Sequence, residues 1–183
     1  MTRLTVIAGP TAVGKGTVVR FLVEQHPEIQ VSVSVTTRKP RPGEIDGVHY
    51  HFVSEARFDE MIENNELLEH AIVHGTHRYG TPRRPVEQAL ASNKQIILEI
   101  DVQGARQVKA SMPEANLIFI APPTFEELRN RLSNRGTETP EQVENRLNTA
   151  KTELAAAQEF DHIVINDDVA KCAQEVLDLM ETS

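Results

Sequence analysis

Leu4-Thr5-Val6-Ile7-Ala8, followed by Gly9-Pro10-Thr11-Ala12-Val13-Gly14-Lys15-Gly16-Thr17, is the stretch that decides the architecture. The apolar run Leu4–Ala8 reads as a buried strand that stops at Gly9. From Thr17 to Glu24, Val18, Phe21 and Leu22 recur at helical spacing, and Pro27 follows. The order is therefore strand, glycine-rich loop, helix.

Residues 9–15 fit the spacing G-x-x-x-x-G-K. Glycines let the backbone wrap so that its N–H groups point inward, and the following helix adds its positive end. The lysine places a full charge near the terminal phosphates of a nucleotide. The plain alternative is a strand–turn–helix corner without a ligand. One departure matters: the residue after the lysine is usually Ser or Thr, whose hydroxyl contacts Mg²⁺. Here it is Gly16, and Thr17 comes next. The expectation is that Thr17 helps hold Mg²⁺ through water. The Gly-Thr pair resembles adenylate kinases and points away from signalling GTPases.

Outward from the loop, Gln30–Val35 alternates as a half-buried strand does, and Thr36–Gly43 is a basic, proline-stiffened loop. Val48–Val53 reads as a strand. Ser54 caps a helix bearing Phe58, Met61 and Ile62, and Leu68–Val73 is another strand. Pro85–Ala91 and Ala105–Ala110 are helical, and Gln95–Asp101 and Asn116–Ala121 are buried strands. Thr124 with Glu127, and Thr139 with Pro140 and Gln142, start two helices, the first running to about Arg135 and the second to about Ala157. His162–Ile165 is the last strand and Val169–Met180 the last helix. Strands and helices alternate at both ends, while the middle has several strands in succession. The expected fold is a parallel α/β core with a mixed insertion. The expected division is 1–33 core, 34–85 insertion, 86–124 core, 125–157 an arginine-rich helical lid, and 158–183 core.

Composition narrows the function. The chain has 183 residues, 39% hydrophobic and 25% charged, which suits a folded globular protein. A net charge of −8 argues against a nucleic-acid backbone as partner. No apolar run approaches the roughly 18 residues of a membrane span, and Leu4–Ala8 is a poor secretory signal. A cytoplasmic location without membrane partners is expected, and a homo-oligomer stays open. The single cysteine, Cys172, excludes an intrachain disulfide and reads as a small buried hydrophobe. His49 and His51, and His70, His74 and His77, are close in sequence, but no cysteine or acidic cluster supports a zinc site.

Four further segments carry a resemblance: Ser34-Val35-Thr36-Thr37-Arg38-Lys39-Pro40-Arg41-Pro42-Gly43-Glu44, Gly47-Val48-His49-Tyr50-His51-Phe52, Tyr79-Gly80-Thr81, and Leu98-Glu99-Ile100-Asp101-Val102-Gln103-Gly104. Arg131-x-x-x-Arg135-Gly136 and Asn166-Asp167-Asp168 extend it. Together, in order and over nearly the whole chain, these segments resemble the guanylate kinase family. The resemblance implies a five-stranded parallel sheet with a phosphate loop, a mixed α/β GMP-binding insertion and a small helical lid. It also implies an ATP-dependent kinase acting on GMP, and on dGMP, with Mg²⁺. By the same resemblance Ser34, Glu69, Thr81 and Asp101 hold the guanine. Arg38, Arg41, Tyr50 and Tyr79 hold its phosphate, and Lys15 meets the ATP phosphates. Arg131, Arg135 and Arg146 close over the transferring group, with Arg38 also counted among the catalytic residues. Gly9 to Thr17 bind ATP, and Asn166 lies near the adenine.

The chemistry suits these residue types. Ionised carboxylates only accept hydrogen bonds, which matches guanine's donors at N1 and N2, and the hydroxyls of Ser34 and Thr81 can donate to O6. Adenine mismatches both. Arginine forks pair bidentately with phosphate oxygens. Two alternatives remain at this stage: a non-catalytic guanylate-kinase-like interaction module, and a kinase for another small phosphate such as ribose bisphosphate.

Overall fold

A computed structural model describes residues 4–73, 77–133 and 139–182. Its elements are β1 (Leu4–Ala8), α1 (Lys15–Gln25), β2 (Gln30–Val31), β3 (Val35–Thr36), β4 (His51–Phe52), α2 (Glu55–Glu63), β5 (Leu67–Val73) and β6 (His77–Pro82). They continue as α3 (Arg83–Ala91), β7 (Ile96–Glu99), α4 (Val102–Ser111), β8 (Asn116–Ala121), α5 (Phe125–Ser133), α6 (Pro140–Ala155), β9 (His162–Ile165) and α7 (Val169–Thr182). A short 3₁₀ turn, Ala156–Glu159, follows α6.

Five strands form a parallel sheet in the order β2-β7-β1-β8-β9. Helices cover both faces, which is why the central strands read as continuous apolar runs instead of alternating ones. On one face Ile7, Ile97, Ile118 and Ile120 pack with Val18 and Leu22 of α1 and Val176 and Met180 of α7. On the other, Val6, Leu98 and Leu117 pack with Val86 and Ala89 of α3 and Ala105 and Val108 of α4. Cys172 is fully buried in the first cluster, and burial pushes its thiol up to about 12. It is a core residue, as the sequence suggests.

A second sheet has the order β4-β3-β6-β5, with β3 and β4 parallel and the other pairs antiparallel. Here the structure revises the sequence reading. The expected strand Gln30–Val35 is two strands in different sheets. Ser32 N–H still donates to Ile97 O at 2.9 Å, and the chain then leaves the first sheet for the second. Alternation reports a half-buried strand but not which sheet each half joins. The expected strand Val48–Val53 shrinks to His51–Phe52, because Ile45–His49 turn back on themselves through Val48 N–H and His49 N–H to Ile45 O. Nothing in the sequence marks β6: Gly80 and Pro82 hide it, and it holds its place through its neighbours β3 and β5.

Helix starts follow local chemistry. Ser54 Oγ accepts Arg57 N–H at 3.1 Å, Thr124 Oγ1 accepts Glu127 N–H at 3.1 Å, and Thr139 with Gln142 forms a full capping box. Among the described residues no helix is long and apolar enough to cross a membrane.

Candidate active site

The C-terminal ends of the parallel strands are where ligands of such sheets sit. β1 delivers the glycine loop there, β7 delivers Glu99 and Asp101, and β9 delivers Asn166. Gly9 has φ +151°, and a Cβ on it would overlap the Ile120 carbonyl. Gly14, with φ +96°, is the N-cap residue of α1. Both conformations disfavour a side chain. Lys15 opens α1 and folds back, its ammonium donating to Gly9 O at 2.5 Å and Pro10 O at 3.4 Å. Desolvation lowers its pKa, opposed by the carboxylates of Glu99, Glu153 and Asp101.

A Cβ on Gly16 would lie 3.4 Å from Glu99 Oε1, so the carboxylate stands beside the place where the usual hydroxyl would branch. Desolvation raises the pKa of Glu99 and Lys15 offsets this. Glu153 approaches from α6. Its carboxylate lies near the Thr11 backbone, and Oε2 is buried without a hydrogen-bond partner. Glu99 carried a usable signal, since it ends the same apolar strand that leads to Asp101. Glu153 carried none.

The loop is braced from two sides. Asn166, 4% exposed, donates from Nδ2 to Val13 O at 2.8 Å. Arg131, from α5, donates to the same carbonyl at 3.2 Å and to Asn166 O at 3.4 Å, and it pairs with Glu127 one turn back. Asn166 thus shapes the phosphate loop. Arg146 lies on α6. Arg135 and His74 lie outside the described residues. Among the described residues no group of three His, Cys, Asp or Glu is placed to hold a metal ion.

The second sheet carries an arginine clamp. Arg38 Nε donates to the Tyr79 hydroxyl at 3.2 Å, and its guanidinium lies 5.4 Å from the Tyr50 ring centroid. Tyr50 and Tyr79 meet edge-to-face at 5.8 Å. The two forward nitrogens of Arg38 form a fork onto Glu44, at 3.0 and 2.8 Å, and Glu44 also accepts the Arg41 backbone N–H at 2.7 Å. The hydrogen bond from Arg38 holds the Glu44 carboxyl down to about 2. An internal carboxylate is therefore held between the Arg38 guanidinium and the Arg41 backbone. The Arg41 residue itself is exposed. Glu44 follows the basic loop Thr36–Gly43 in sequence, and nothing there marks it as the counter-ion of Arg38.

The second sheet also carries buried acceptors. Glu69 on β5 is 4% exposed, and Thr81 on β6, fully buried, donates to its Oε1 at 2.6 Å across the paired strands. Burial pushes the Glu69 carboxyl up to about 7, with Asp101 adding to the rise and the Thr81 hydroxyl opposing it. Asp101 caps α4 by accepting Gly104 N–H at 2.8 Å. Ser34 is half-buried at the crossing between the two sheets, where its carbonyl accepts His51 N–H at 2.8 Å. The structure therefore brings Glu69, Thr81 and Asp101 together, and Arg38, Tyr50 and Tyr79 together.

The family profile described as guanylate kinase matches residues 1–183. A guanylate kinase from Leifsonia xyli subsp. xyli is 62% identical over 177 residues, 97% of this chain and 70% of that protein. One from Cutibacterium acnes is 56% identical, covering 97% of this chain and 89% of its own length. The crystal structure of guanylate kinase from Anaplasma phagocytophilum superposes with a TM-score of 0.82 at 32% identity, over 98% of this chain and 84% of that one. These matches favour the kinase over the interaction module and the sugar-phosphate kinase. With a phosphate loop, an arginine clamp and similarity running the length of the sequence, the chain belongs to the guanylate kinase family of nucleoside monophosphate kinases.

Proposed function

We propose that this kinase reads guanine with Ser34, Glu69, Thr81 and Asp101, and passes a phosphoryl group from ATP to GMP or dGMP held by Arg38, Arg41, Tyr50 and Tyr79. The observation that carries the reading is the buried Glu69–Thr81 pair beside Asp101. Carboxylates there match the N1 and N2 donors of guanine and repel the N1 acceptor of adenine. GMP displaces Glu44 from the clamp, its phosphate taking over the fork of Arg38.

No general base is needed. A phosphate monoester has a second pKa of about 6, so the nucleophilic oxygen arrives ionised near neutral pH. The difficulty is electrostatic: two polyanions must meet in line while charge is stabilised on the transferring group. Residues Gly9–Thr17 cradle the ATP phosphates, with Lys15 at their end. Arg131, Arg135 and Arg146 close from the lid, and Asn166 holds the loop near the adenine side. Thr17, through water, and Glu99 are hard oxygen donors that fit Mg²⁺. Held there, Mg²⁺ would supply positive charge to offset that of the ATP phosphates. The insertion 34–85 and the lid 125–157 move against the core formed by 1–33, 86–124 and 158–183, excluding water from the reaction. The enzyme works in the cytoplasm.

A coupled ADP-release assay with ATP, Mg²⁺ and each nucleoside monophosphate in turn tests this. GMP and dGMP are turned over, and AMP is used about 10⁴–10⁵-fold less efficiently. Comparable efficiency on AMP overturns the assignment of the base pocket.

A further inference from the structure

Gly104 is the third residue of α4, and its backbone is ordinary helix, so alanine would fit its dihedrals. Space is the constraint. A Cβ built there would overlap Oε2 of Glu69 and stand 2.9 Å from its Cδ, with Ile100 Cδ1 at 3.3 Å.

The helix is not free to yield. Gly104 N–H is committed to Asp101, and one turn on, the Gln107 amide clasps both polar groups of the His70 backbone. His70 N–H donates to Gln107 Oε1 at 3.1 Å and Gln107 Nε2 donates to His70 O at 2.7 Å. His70 follows Glu69 directly, so this two-point pairing fixes the spacing of α4 to β5 at the carboxylate itself. Ala105 and Val108 anchor the same helix in the core. On its far side the carboxylate is held by Thr81. The flexible end of Glu69 is the part that must give way.

We propose that Gly104 is a positioning residue for guanine specificity: the missing side chain at this point of α4 lets Glu69 hold its carboxylate against Thr81 in the pose that receives the base. This rests on the reading of Glu69 as a guanine acceptor, so the test separates the two. Gly104→Ala, Glu69→Ala and the double variant are assayed with GMP, IMP and ATP as the varied substrate, alongside thermal melts. IMP keeps the N1 donor and lacks the 2-amino group.

The expected result for Gly104→Ala is a GMP KM raised about tenfold or more, an ATP KM unchanged, and a GMP-over-IMP preference falling toward that of Glu69→Ala. In the Glu69→Ala background the added methyl should change GMP KM by less than about twofold, because its target is gone. Wild-type GMP kinetics in Gly104→Ala, or effects that simply add in the double variant, overturn the proposal. A GMP KM unchanged in Glu69→Ala overturns the reading of Glu69 and the proposal with it. If Gly104→Ala does not fold, a folded double variant supports the clash with Glu69, and an unfolded one overturns it.

Discussion

Replacing Glu69 by Gln should stabilise the nucleotide-free enzyme at alkaline pH and leave it unchanged at acid pH. The carboxyl ionises at about 7 in the folded protein against 4.5 ordinarily, chiefly because it is desolvated. The side chain lies in a residue only 4% exposed, so solvent screens little of this cost. Below about pH 4.5 both folded and unfolded chains keep the proton and nothing is lost. Between 4.5 and 7 the unfolded chain releases its proton while the native one retains it, so stability falls as pH rises. Above about 7 the full penalty is present. A gap of about two and a half pH units, at about 1.4 kcal/mol each, gives about 3 kcal/mol. Gln does not titrate, and its amide oxygen still accepts from Thr81. The difference between variant and wild type should therefore grow from zero near pH 4 to about 3 kcal/mol at pH 8. Urea unfolding of both proteins across that range reads it directly, and all other titrating groups cancel in the difference. A difference that is flat with pH, or largest at the acid end, refutes the reasoning.

The same ionisation should appear in catalysis: kcat/KM for GMP rises through about pH 7 in the wild type, whereas Glu69→Gln retains only the ionisation of the GMP phosphate near about 6, as initial-rate profiles would show. Asn166→Ala removes one of two donors to the buried Val13 carbonyl, so thermal melts should show a loss of about 1 kcal/mol, and ATP titration a weaker affinity. Arg38→Ala should raise GMP KM about tenfold to a hundredfold with a smaller loss in turnover, since charge-assisted forks are worth about 1.5–3 kcal/mol. Steady-state kinetics with GMP varied would separate the two effects.

The parts of this protein legible in sequence are those whose chemistry is local. Residues 4–17 declare themselves because strand, loop and helix start are consecutive and each has its own residue signature. The strands around Ile97 and Ile118 are legible because burial on both faces leaves an unbroken apolar run. The capping boxes are read within four residues. What was missed depends on distant partners. β6 has a glycine and a proline and no apolar alternation, and exists because β3 and β5 flank it. Glu44 and Glu153 look like ordinary surface acids until the fold sets them beside Arg38 and Thr11. Gln107 has no feature in the sequence that distinguishes it from a solvated helix residue, yet it ties the two sheets' elements together at His70.

The Glu44 carboxylate, held by the Arg38 guanidinium and the Arg41 backbone N–H, decides what an anion would meet at the clamp. A bare cluster of guanidinium groups would collect whatever small anion is abundant in solution. If the clamp takes the GMP phosphate as proposed, that phosphate would swap with Glu44 as one negative partner for another and gain only the margin between them. Inorganic phosphate, which brings nothing else, would then compete weakly, and a nucleotide would overcome the exchange by also engaging the purine end, so selectivity would begin before any phosphoryl group moves.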